Sequence, residues 1–224
     1  MGRKKAQRFQ ENLEKVNIIQ DTSPLFNEIK GNWHTTYFKN ENPIVLELGC
    51  GKGEYTIGLA KLYPEKNFIG IDIKGDRIAV GSDLALEANL LNVAFLRTKV
   101  HQLLDFFQEN EISEIWITFP DPQPIKSGIR RRMTNERFLA IYDYILNNEG
   151  ILHLKTDHEA FFDYSLETLE NYGVRNLQST KDLYSSELNV RHYGIKTRFE
   201  QIFTDKGFLI NYLCCQLEKK PVQE

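Results

Sequence analysis

Apolar runs alternate with helical patterns from residue 43 onward, and this alternation constrains the fold more than any other feature of the chain. Short apolar runs predict buried strands, whereas apolar residues repeated every three or four positions predict amphipathic helices. The predicted strands are residues 44–48, 67–73, 93–98, 112–119, 151–155, 174–183 and 208–217, and the predicted helices are residues 54–62, 76–89, 134–146 and 158–171. This alternation predicts an α/β fold in which a mostly parallel, seven-stranded sheet has helices on both faces.

The two ends of the chain depart from this pattern. Residues 1–40 show no clear periodicity and predict an N-terminal extension, either wrapped on the domain or partly mobile, so the domain itself is expected at residues 41–224. The last two predicted strands have no full helical pattern between them, and we therefore expect one antiparallel strand in the sheet. A length of 224 residues suits one sizeable core.

Composition argues against several classes of protein. No apolar run reaches the ~20 residues that a membrane span needs. The basic N-terminus lacks the apolar stretch of a secretory signal, so we expect a cytoplasmic protein with no membrane partner. The three cysteines and five histidines lack the spacing of a disulfide framework or a metal site, and no metal is expected.

The segment from residue 115 to residue 132 reads IWITFPDPQPIKSGIRRR and is the most informative about function. Proline cannot continue a central strand, so the chain leaves the sheet at Pro120 with Asp121 at its lip. Ligands of open α/β sheets bind outside the carboxyl ends of strands. The basic residues beyond that point are Lys126, Arg130, Arg131 and Arg132. They predict a site that grips a polyanion, although from this segment alone a stiff connection with ordinary surface arginines is an equal alternative.

A second basic cluster, formed by Arg3, Lys4, Lys5 and Arg8, lies near the N-terminus. The net charge of the whole chain is −3, so the distribution of charge is more informative than its sum. The cluster by itself is more typical of a solvated tail than of a binding site.

Three glycines, Gly49, Gly51 and Gly53, follow the first predicted strand. Glycines at such a turn let a ligand approach the backbone, but a glycine-rich loop alone is weak evidence because dinucleotide sites use one as well. Here the spacing is G-x-G-x-G rather than the G-x-G-x-x-G of dinucleotide sites. The carboxylate of Glu47, two residues before the first glycine, would also repel a pyrophosphate and attract a cation.

S-adenosylmethionine meets these conditions because it has no phosphate and carries a sulfonium. Asp72 ends the second predicted strand, where such folds bind ribose hydroxyls with an acid. The alternatives are that Glu47 is a paired structural charge and that Asp72 is a plain helix cap. Burying an acid within an apolar strand is costly unless it is satisfied, which favours a functional Glu47.

Four motifs taken together are similar to those of a known family. Residues 47–53 resemble motif I of class I methyltransferases. Combined with FPDP…RRR, with LKTD at residues 154–157 and with TRFE at residues 197–200, they resemble the bacterial tRNA (guanine-N7)-methyltransferase family. The resemblance covers residues 44–217. It implies a Rossmann-like class I methyltransferase fold and methyl transfer from S-adenosylmethionine to N7 of the variable-loop guanosine 46 of tRNA, which forms 7-methylguanosine.

The resemblance also implies which residues serve the site. The implied cofactor-binding acids are Glu47, Asp72 and Asp121, and we expect the loop glycines Gly49, Gly51 and Gly53, together with Thr98 and Lys99, to bind the cofactor as well. The implied substrate-binding residues are Asp157, Thr197 and Glu200, and a catalytic role is implied for Asp121. Because carboxylates near the methylated ring can stabilise its positive charge, we also expect a catalytic role for Asp157. The basic residues Lys126, Arg130, Arg131 and Arg132 are then candidates for contacts with tRNA phosphates.

The chain departs from the family pattern at three positions. In the loop after the fourth strand, Gln123 replaces a tryptophan and Ile125 replaces a lysine that contacts substrate, so only Lys126 could take over that contact. Near the third strand, Lys99 replaces an acid that contacts the adenine amino group. Adenine is then expected to be held by the backbone or by Thr98.

Three alternatives remain open, because a fold does not fix a substrate. They are a methyltransferase for another RNA or a small molecule, a nicotinamide dehydrogenase, and a non-catalytic RNA-binding protein. The basic loop favours RNA as the substrate, and the glycine spacing and Glu47 disfavour a dehydrogenase. A protein that only bound RNA would not need the acids Glu47, Asp72, Asp121 and Asp157. The sequence leaves open whether the protein is a monomer or a homodimer.

Overall fold

The computed structural model describes residues 12–220, which form an eight-stranded sheet with five α-helices. The strands are β1 (Ile18–Ile19), β2 (Ile44–Leu48), β3 (Asn67–Asp72), β4 (Val93–Arg97), β5 (Ile112–Thr118), β6 (Leu146–Thr156), β7 (Val174–Thr180) and β8 (Asn211–Leu217). The helices are α1 (Glu54–Leu62), α2 (Gly75–Glu87), α3 (Glu136–Ile145), α4 (Glu159–Tyr172) and α5 (Arg198–Asp205). Across the sheet the strands follow the order β1-β4-β3-β2-β5-β6-β8-β7.

The sheet is parallel except for β8, which lies antiparallel between β6 and β7. This arrangement confirms the predicted α/β fold with one antiparallel strand. The two-residue strand β1 is an addition, because the predicted sheet had seven strands. The expectation of no full helix between the last two strands was wrong, since α5 lies there with a 3-10 turn (Glu187–His192) before it.

Side-chain alternation along the strands divides the core into two halves. Leu46 and Leu48 face the half that also holds the buried side chains of α3 and α4, whereas Val45 faces the half that holds those of α1 and α2. Helices therefore cover both faces, as predicted. Because side chains of a strand alternate between faces, Glu47 lies on the α1 side together with Val45. By the same alternation, the side chains of Lys155 and Leu154 in β6 point to opposite faces of the sheet.

Part of the predicted N-terminal extension packs into the core. β1 pairs in parallel with β4, with Ile18 opposite Phe95. Trp33 is fully buried, its indole stacks on Phe107 at 5.5 Å, and its Nε1 donates a hydrogen bond to the Phe106 carbonyl at 2.9 Å. Residues 18–38 are thus continuous with the core of the domain. The basic cluster at residues 3–8 lies outside the described residues.

Between residues 12 and 220, none of the helices has both the length and the apolar content that crossing a bilayer requires.

Candidate active site

The glycine loop between β2 and α1 forms the floor of the site. Gly51 (φ 57°) and Gly53 (φ 70°) both adopt the left-handed conformation that glycine accepts without a steric cost. A Cβ at Gly53 would lie 2.6 Å from the Phe95 ring, so a side chain is excluded there on two grounds. A Cβ added at Gly51, by contrast, would meet no atom of the described residues within 4 Å beyond its chain neighbours, because the backbone there faces a cavity.

Glu47 is buried at the end of β2, where its carboxylate accepts three hydrogen bonds. The donors are the backbone N–H of Thr56 at 2.8 Å, the Thr56 hydroxyl at 2.5 Å and the Thr118 hydroxyl at 2.7 Å. Burial raises the pKa of Glu47 to about 7, and the hydrogen bonds from the two threonines oppose that rise. The carboxylate also lines the cavity beside the glycine loop. A structural anchorage and a site role are therefore combined in one residue.

Asp72, at the end of β3, ties the glycine loop to the start of α2. One carboxylate oxygen accepts from the Gly51 N–H at 2.9 Å, and the other accepts from the Lys74 N–H at 2.8 Å. The N-cap residue of α2 is Lys74 rather than Asp72. The helix-cap alternative for Asp72 is therefore wrong in its simple form, and the carboxylate instead fixes the loop backbone.

Two cavities lie at the carboxyl ends of these strands. The larger, of about 370 Å³, is lined by Glu47 and the glycine loop on one side and by Thr197, Arg198 and Phe199 on the other. The smaller, of about 230 Å³, is lined by residues that include Ile73, Thr98 and Lys99. Of the predicted cofactor residues, Glu47, Gly49 and Gly51 line the larger cavity and Thr98 and Lys99 line the smaller, whereas Gly53, Asp72 and Asp121 line neither. Asp72 joins the two cavities, because it hydrogen-bonds Gly51 in the first and directly precedes Ile73 of the second.

The loop after β5 is held in a strained conformation. Phe119 (φ 49°) and Gln123 (φ 46°) both lie in the left-handed region, which is unusual for residues with large side chains. The Phe119 N–H donates to the Lys155 carbonyl at 2.9 Å, and the exposed Asp121 carboxylate accepts from the Gln123 N–H at 3.0 Å. Backbone strain of this kind concentrates at functional sites. Asp121 lies two residues beyond Phe119, which lines the larger cavity.

Asp157 follows the next strand, β6, whose Lys155 pairs with Thr118 of β5. Asp121 and Asp157 therefore leave the sheet from neighbouring strand ends. Asp157 is half-buried, and burial raises its pKa above the ordinary value for an aspartate. The cap of α4 is provided by His158, whose Nδ1 accepts from the Phe161 N–H at 3.1 Å. The alternative in which Asp157 serves merely as that cap is wrong.

The basic tract after the strained loop divides into exposed and buried residues. Lys126, Arg130 and Arg131 are exposed, whereas Arg132 is only 8% exposed. The guanidinium of Arg132 donates to the carbonyls of Pro122 and Gln123 at 3.1 and 3.3 Å and lies 4.3 Å from the centre of the Tyr164 ring. Arg132 is expected from the sequence to contact a tRNA phosphate, but its buried guanidinium instead anchors the loop.

The TRFE motif begins α5, and its ends are used differently from what the resemblance implied. Thr197 and Glu200 form a capping box, in which the Thr197 hydroxyl accepts from the Glu200 N–H at 3.1 Å. Glu200 is fully buried, with Lys155 Nζ 2.7 Å from one carboxylate oxygen, and it also accepts from the Tyr184 hydroxyl at 2.8 Å. Burial lowers the pKa of Lys155, and Glu200 opposes that shift. Thr197 lines the larger cavity, whereas Glu200 supports its wall from behind.

Several residues of this site were not predicted from the sequence. Thr56 and Thr118 bind Glu47, Lys155 pairs with Glu200, and Arg198 and Phe199 line the cavity. Only Lys155 left a signal, because a lysine within an apolar strand must be paired when it is buried. Throughout residues 12–220, no three His, Cys, Asp or Glu side chains converge into a group that could hold a metal ion.

Comparison with known proteins supports the family resemblance that the four motifs indicated. A family model described as “Putative methyltransferase” matches residues 41–211. The tRNA (guanine-N(7)-)-methyltransferase of Cytophaga hutchinsonii is 46% identical over 215 residues, which cover 95% of this chain and 97% of that protein. The chain belongs to the tRNA (guanine-N(7)-)-methyltransferase family. A relative of the same name from Christiangramia forsetii is 47% identical over 220 residues, covering 95% of this chain and 98% of the relative.

Solved structures agree on the fold alone. The 16S rRNA methyltransferase KamB aligns with a TM-score of 0.62 at 12% identity, covering 90% of this chain and 99% of its own. The [4+2]-cyclase SpnF aligns with a TM-score of 0.53 at 17% identity, covering 81% of this chain and 76% of its own. A methyltransferase and a cyclase share this architecture, so the Rossmann-like class I fold does not select a reaction.

Proposed function

We propose that this protein transfers a methyl group from S-adenosylmethionine to N7 of guanosine 46 in the variable loop of tRNA, forming 7-methylguanosine. The observation that carries the proposal is the larger cavity, in which the buried Glu47 carboxylate and the glycine loop face the wall formed by the start of α5. Exposed Lys126, Arg130 and Arg131 lie on the loop beyond β5. Relatives at 46–47% identity over nearly the whole chain are tRNA (guanine-N(7)-)-methyltransferases.

The residues around the two cavities fit S-adenosylmethionine. At Gly51 a side chain would project into the cavity, so the loop backbone is free to approach a ligand. Glu47 supplies a carboxylate that favours a cation, and Asp72 supplies acceptors for ribose hydroxyls between the two cavities. Thr98 and Lys99 in the smaller cavity are the candidates for the adenine edge. When bound, S-adenosylmethionine supplies an electrophilic methyl group.

On the substrate side, the protein mainly has to position the base. Guanine N7 carries a free lone pair on its major-groove edge, so methylation requires no prior removal of a proton. Holding the reacting groups in line can supply on the order of 7–11 kcal/mol. The methylated purine carries a positive charge. Carboxylates held beside the base, Asp121 and Asp157, stabilise that charge as it develops.

The protein must also grip the RNA around a base taken out of its stack. The exposed cations Lys126, Arg130 and Arg131 are placed to contact phosphates, with the loop that carries them anchored by Arg132. Thr197 lines the cavity wall, where it contacts the base. Glu200 acts through Thr197 and α5, because its own carboxylate is fully buried.

Two tRNA transcripts that differ by one atom test the proposed function. One carries guanosine at position 46, and the other carries 7-deazaguanosine, which lacks the nitrogen to be methylated. We expect labelled methyl transfer to the first transcript only, with borohydride–aniline cleavage at position 46. Equal labelling of both transcripts would show that another atom is methylated. Calorimetry should show binding of S-adenosylhomocysteine and no binding of NADH, and the reverse result would favour a dehydrogenase.

A further inference from the structure

Four phenylalanine rings cluster beside the larger cavity. The Phe203 ring lies 6.2 Å from the Phe119 ring, 6.5 Å from the Phe199 ring and 6.0 Å from the Phe208 ring, measured between ring centres. Phe119 and Phe199 both line the cavity. Phe199 lies at the mouth of the site, and its side chain is 52% exposed. The Lys155–Glu200 pair and the capping box explain Thr197 and Glu200 of the TRFE motif but leave Phe199 without a role.

Phe199 is presented on a firmly held helix. Beneath it, Glu200 is locked by Lys155, and the capping box fixes the first turn of α5. The Arg198 N–H donates to the Glu54 carboxylate on α1 at 2.9 Å, which joins α5 to the opposite side of the cavity. An exposed ring held in this way loses little conformational entropy when a flat ligand stacks on it.

The charges around the ring point to RNA as the ligand. Arg198 is exposed and lines the cavity next to Phe199, and Arg77 and Lys52 line the same cavity. Lys196, two residues before Arg198, is also exposed. Proteins that bind single-stranded nucleic acid combine a cationic track for the backbone with aromatic side chains on which bases stack. An apolar protein partner would not need cations beside the ring.

The depth of the residues indicates which base reaches Phe199. Glu47 and Thr118 lie at the floor of the cavity, where they are 4% and 7% exposed. In the proposed function the cofactor lies at that floor, and the guanine whose N7 is to be methylated must enter far enough to reach the cofactor's methyl group, so the exposed ring of Phe199 faces the next nucleotide. We propose that Phe199 is a stacking platform for the nucleobase adjacent to the methylated guanosine. This inference rests on the proposed function and extends it to the flanking nucleotide.

Substitution of Phe199 by residues of matched size tests the stacking. Phe199→Leu keeps an apolar side chain but removes the aromatic face, whereas Phe199→Trp keeps the face. Phe208→Leu is the matched control, because Phe208 is 51% exposed and also contacts Phe203. We expect Phe199→Leu to weaken tRNA binding by about 5- to 150-fold, the range for loss of one base stack. Phe199→Trp and Phe208→Leu should bind tRNA as the unaltered protein does.

Fluorescence gives a second readout that a merely structural role would not produce. The two native tryptophans, Trp33 and Trp116, are fully buried and provide a constant background. The indole introduced by Phe199→Trp should be quenched when a tRNA transcript is added, and the indole introduced by Phe208→Trp should not. S-adenosylhomocysteine affinity, measured by calorimetry, should be retained in Phe199→Leu because its apolar volume is nearly kept.

The outcomes separate this inference from the proposed function. If Phe199→Leu binds tRNA normally, or if Phe199→Trp binds as weakly as Phe199→Leu, there is no stacking platform. If the unaltered protein fails to methylate tRNA, the proposed function is wrong. In that case the same binding series still decides whether Phe199 receives an RNA base.

Discussion

The two halves of the site relate differently to the sequence. In the half built by β2, β3 and the glycine loop, Glu47 and Gly51 line the larger cavity and Asp72 holds the backbone of the loop. In the half built after β5 and β6, Arg132 and Glu200 turn inward into buried contacts. The first half is determined by backbone conformation, and the second by where long side chains find partners.

This difference has a physical cause. A glycine at positive φ and an acid at the end of a strand are constrained by the chain itself, so their positions follow from local rules. An arginine or glutamate can point to solvent or to a partner distant in sequence, and only tertiary packing decides which. We therefore expect residues of the second half to differ in whether they contribute to stability, to RNA binding or to catalysis, and each contribution can be measured separately.

The largest effect is expected at the buried pair, where Lys155→Met should lower the free energy of unfolding by about 3–5 kcal/mol. Removing one partner of a buried ion pair leaves the other charge unpaired. Both side chains are fully buried, so solvent does not screen the loss. Urea denaturation measures the change. Adding Glu200→Gln to Lys155→Met should recover most of it, since glutamine keeps the capping box and removes the charge. An unrecovered loss would mean that Lys155 acts by packing alone.

In the first half, the pH dependence of stability should depend on Glu47. Its pKa rises from 4.5 to about 7 on folding, so the folded state binds more protons than the unfolded state between these values. The free energy of unfolding should therefore fall as pH rises through this window, by roughly 3 kcal/mol from this residue. Urea denaturation at pH 5 and pH 7.5 measures the fall. Glu47→Gln should largely remove it, and a variant with an unchanged slope would assign the titration to another group.

A catalytic effect of somewhat smaller size is expected at Asp157. Asp157→Asn should lower kcat by roughly a hundredfold, because it removes the charge that stabilises the methylated purine. Thermal stability and cofactor affinity should be retained, since His158 caps α4. Asp121→Ala should lower kcat to a similar degree and should also weaken cofactor binding. Full activity of Asp157→Asn in single-turnover assays would exclude the charge of Asp157 from catalysis.

Cofactor affinity should depend on Asp72. Asp72→Ala loses charge-assisted hydrogen bonds worth roughly 1.5–3 kcal/mol, so affinity for S-adenosylhomocysteine should fall about ten- to a hundredfold. Asp76→Ala, which alters another acid in the first turn of α2, is the matched control. Calorimetry measures both variants, and tRNA binding should be unchanged. Equal affinities in the two variants would remove Asp72 from the cofactor site.

The smallest effect is expected in the basic tract, where neighbouring arginines should differ in their contribution to tRNA binding. Neutralising Arg130 and Arg131 together should reduce the slope of log affinity for tRNA against log salt by about 2, or roughly one per arginine. Arg132→Gln should instead lower the melting temperature and leave the slope unchanged, because its guanidinium holds Pro122 and Gln123. If Arg132→Gln reduces the slope as much as the double variant, Arg132 reaches phosphate after all.

The same distinction explains how much of the molecule could be predicted. The strand–helix alternation predicted the seven longer strands, because periodicity reports burial directly. One of the last two strands, β8, is antiparallel as expected, although the expectation rested on the absence of a helix between them and α5 lies there. β1 was missed because two residues are too few to show a period, and α5 was missed because it is short. The cavity wall at Phe199 was missed because it depends on the Lys155–Glu200 pair, which joins residues 45 positions apart.

The strand order also determines when the sheet can be completed during synthesis. Among the strands within residues 12–220, β7 pairs with β8 and not with β6, so β7 joins the sheet through β8, which lies between them. β8 is the last of these strands to leave the ribosome. Until it emerges, β7 has no partner strand and one edge of β6 is unpaired. Insertion of Asn211–Leu217 then completes that side of the sheet. A nascent chain arrested before residue 211 would therefore expose an unpaired edge, which is a site for aggregation.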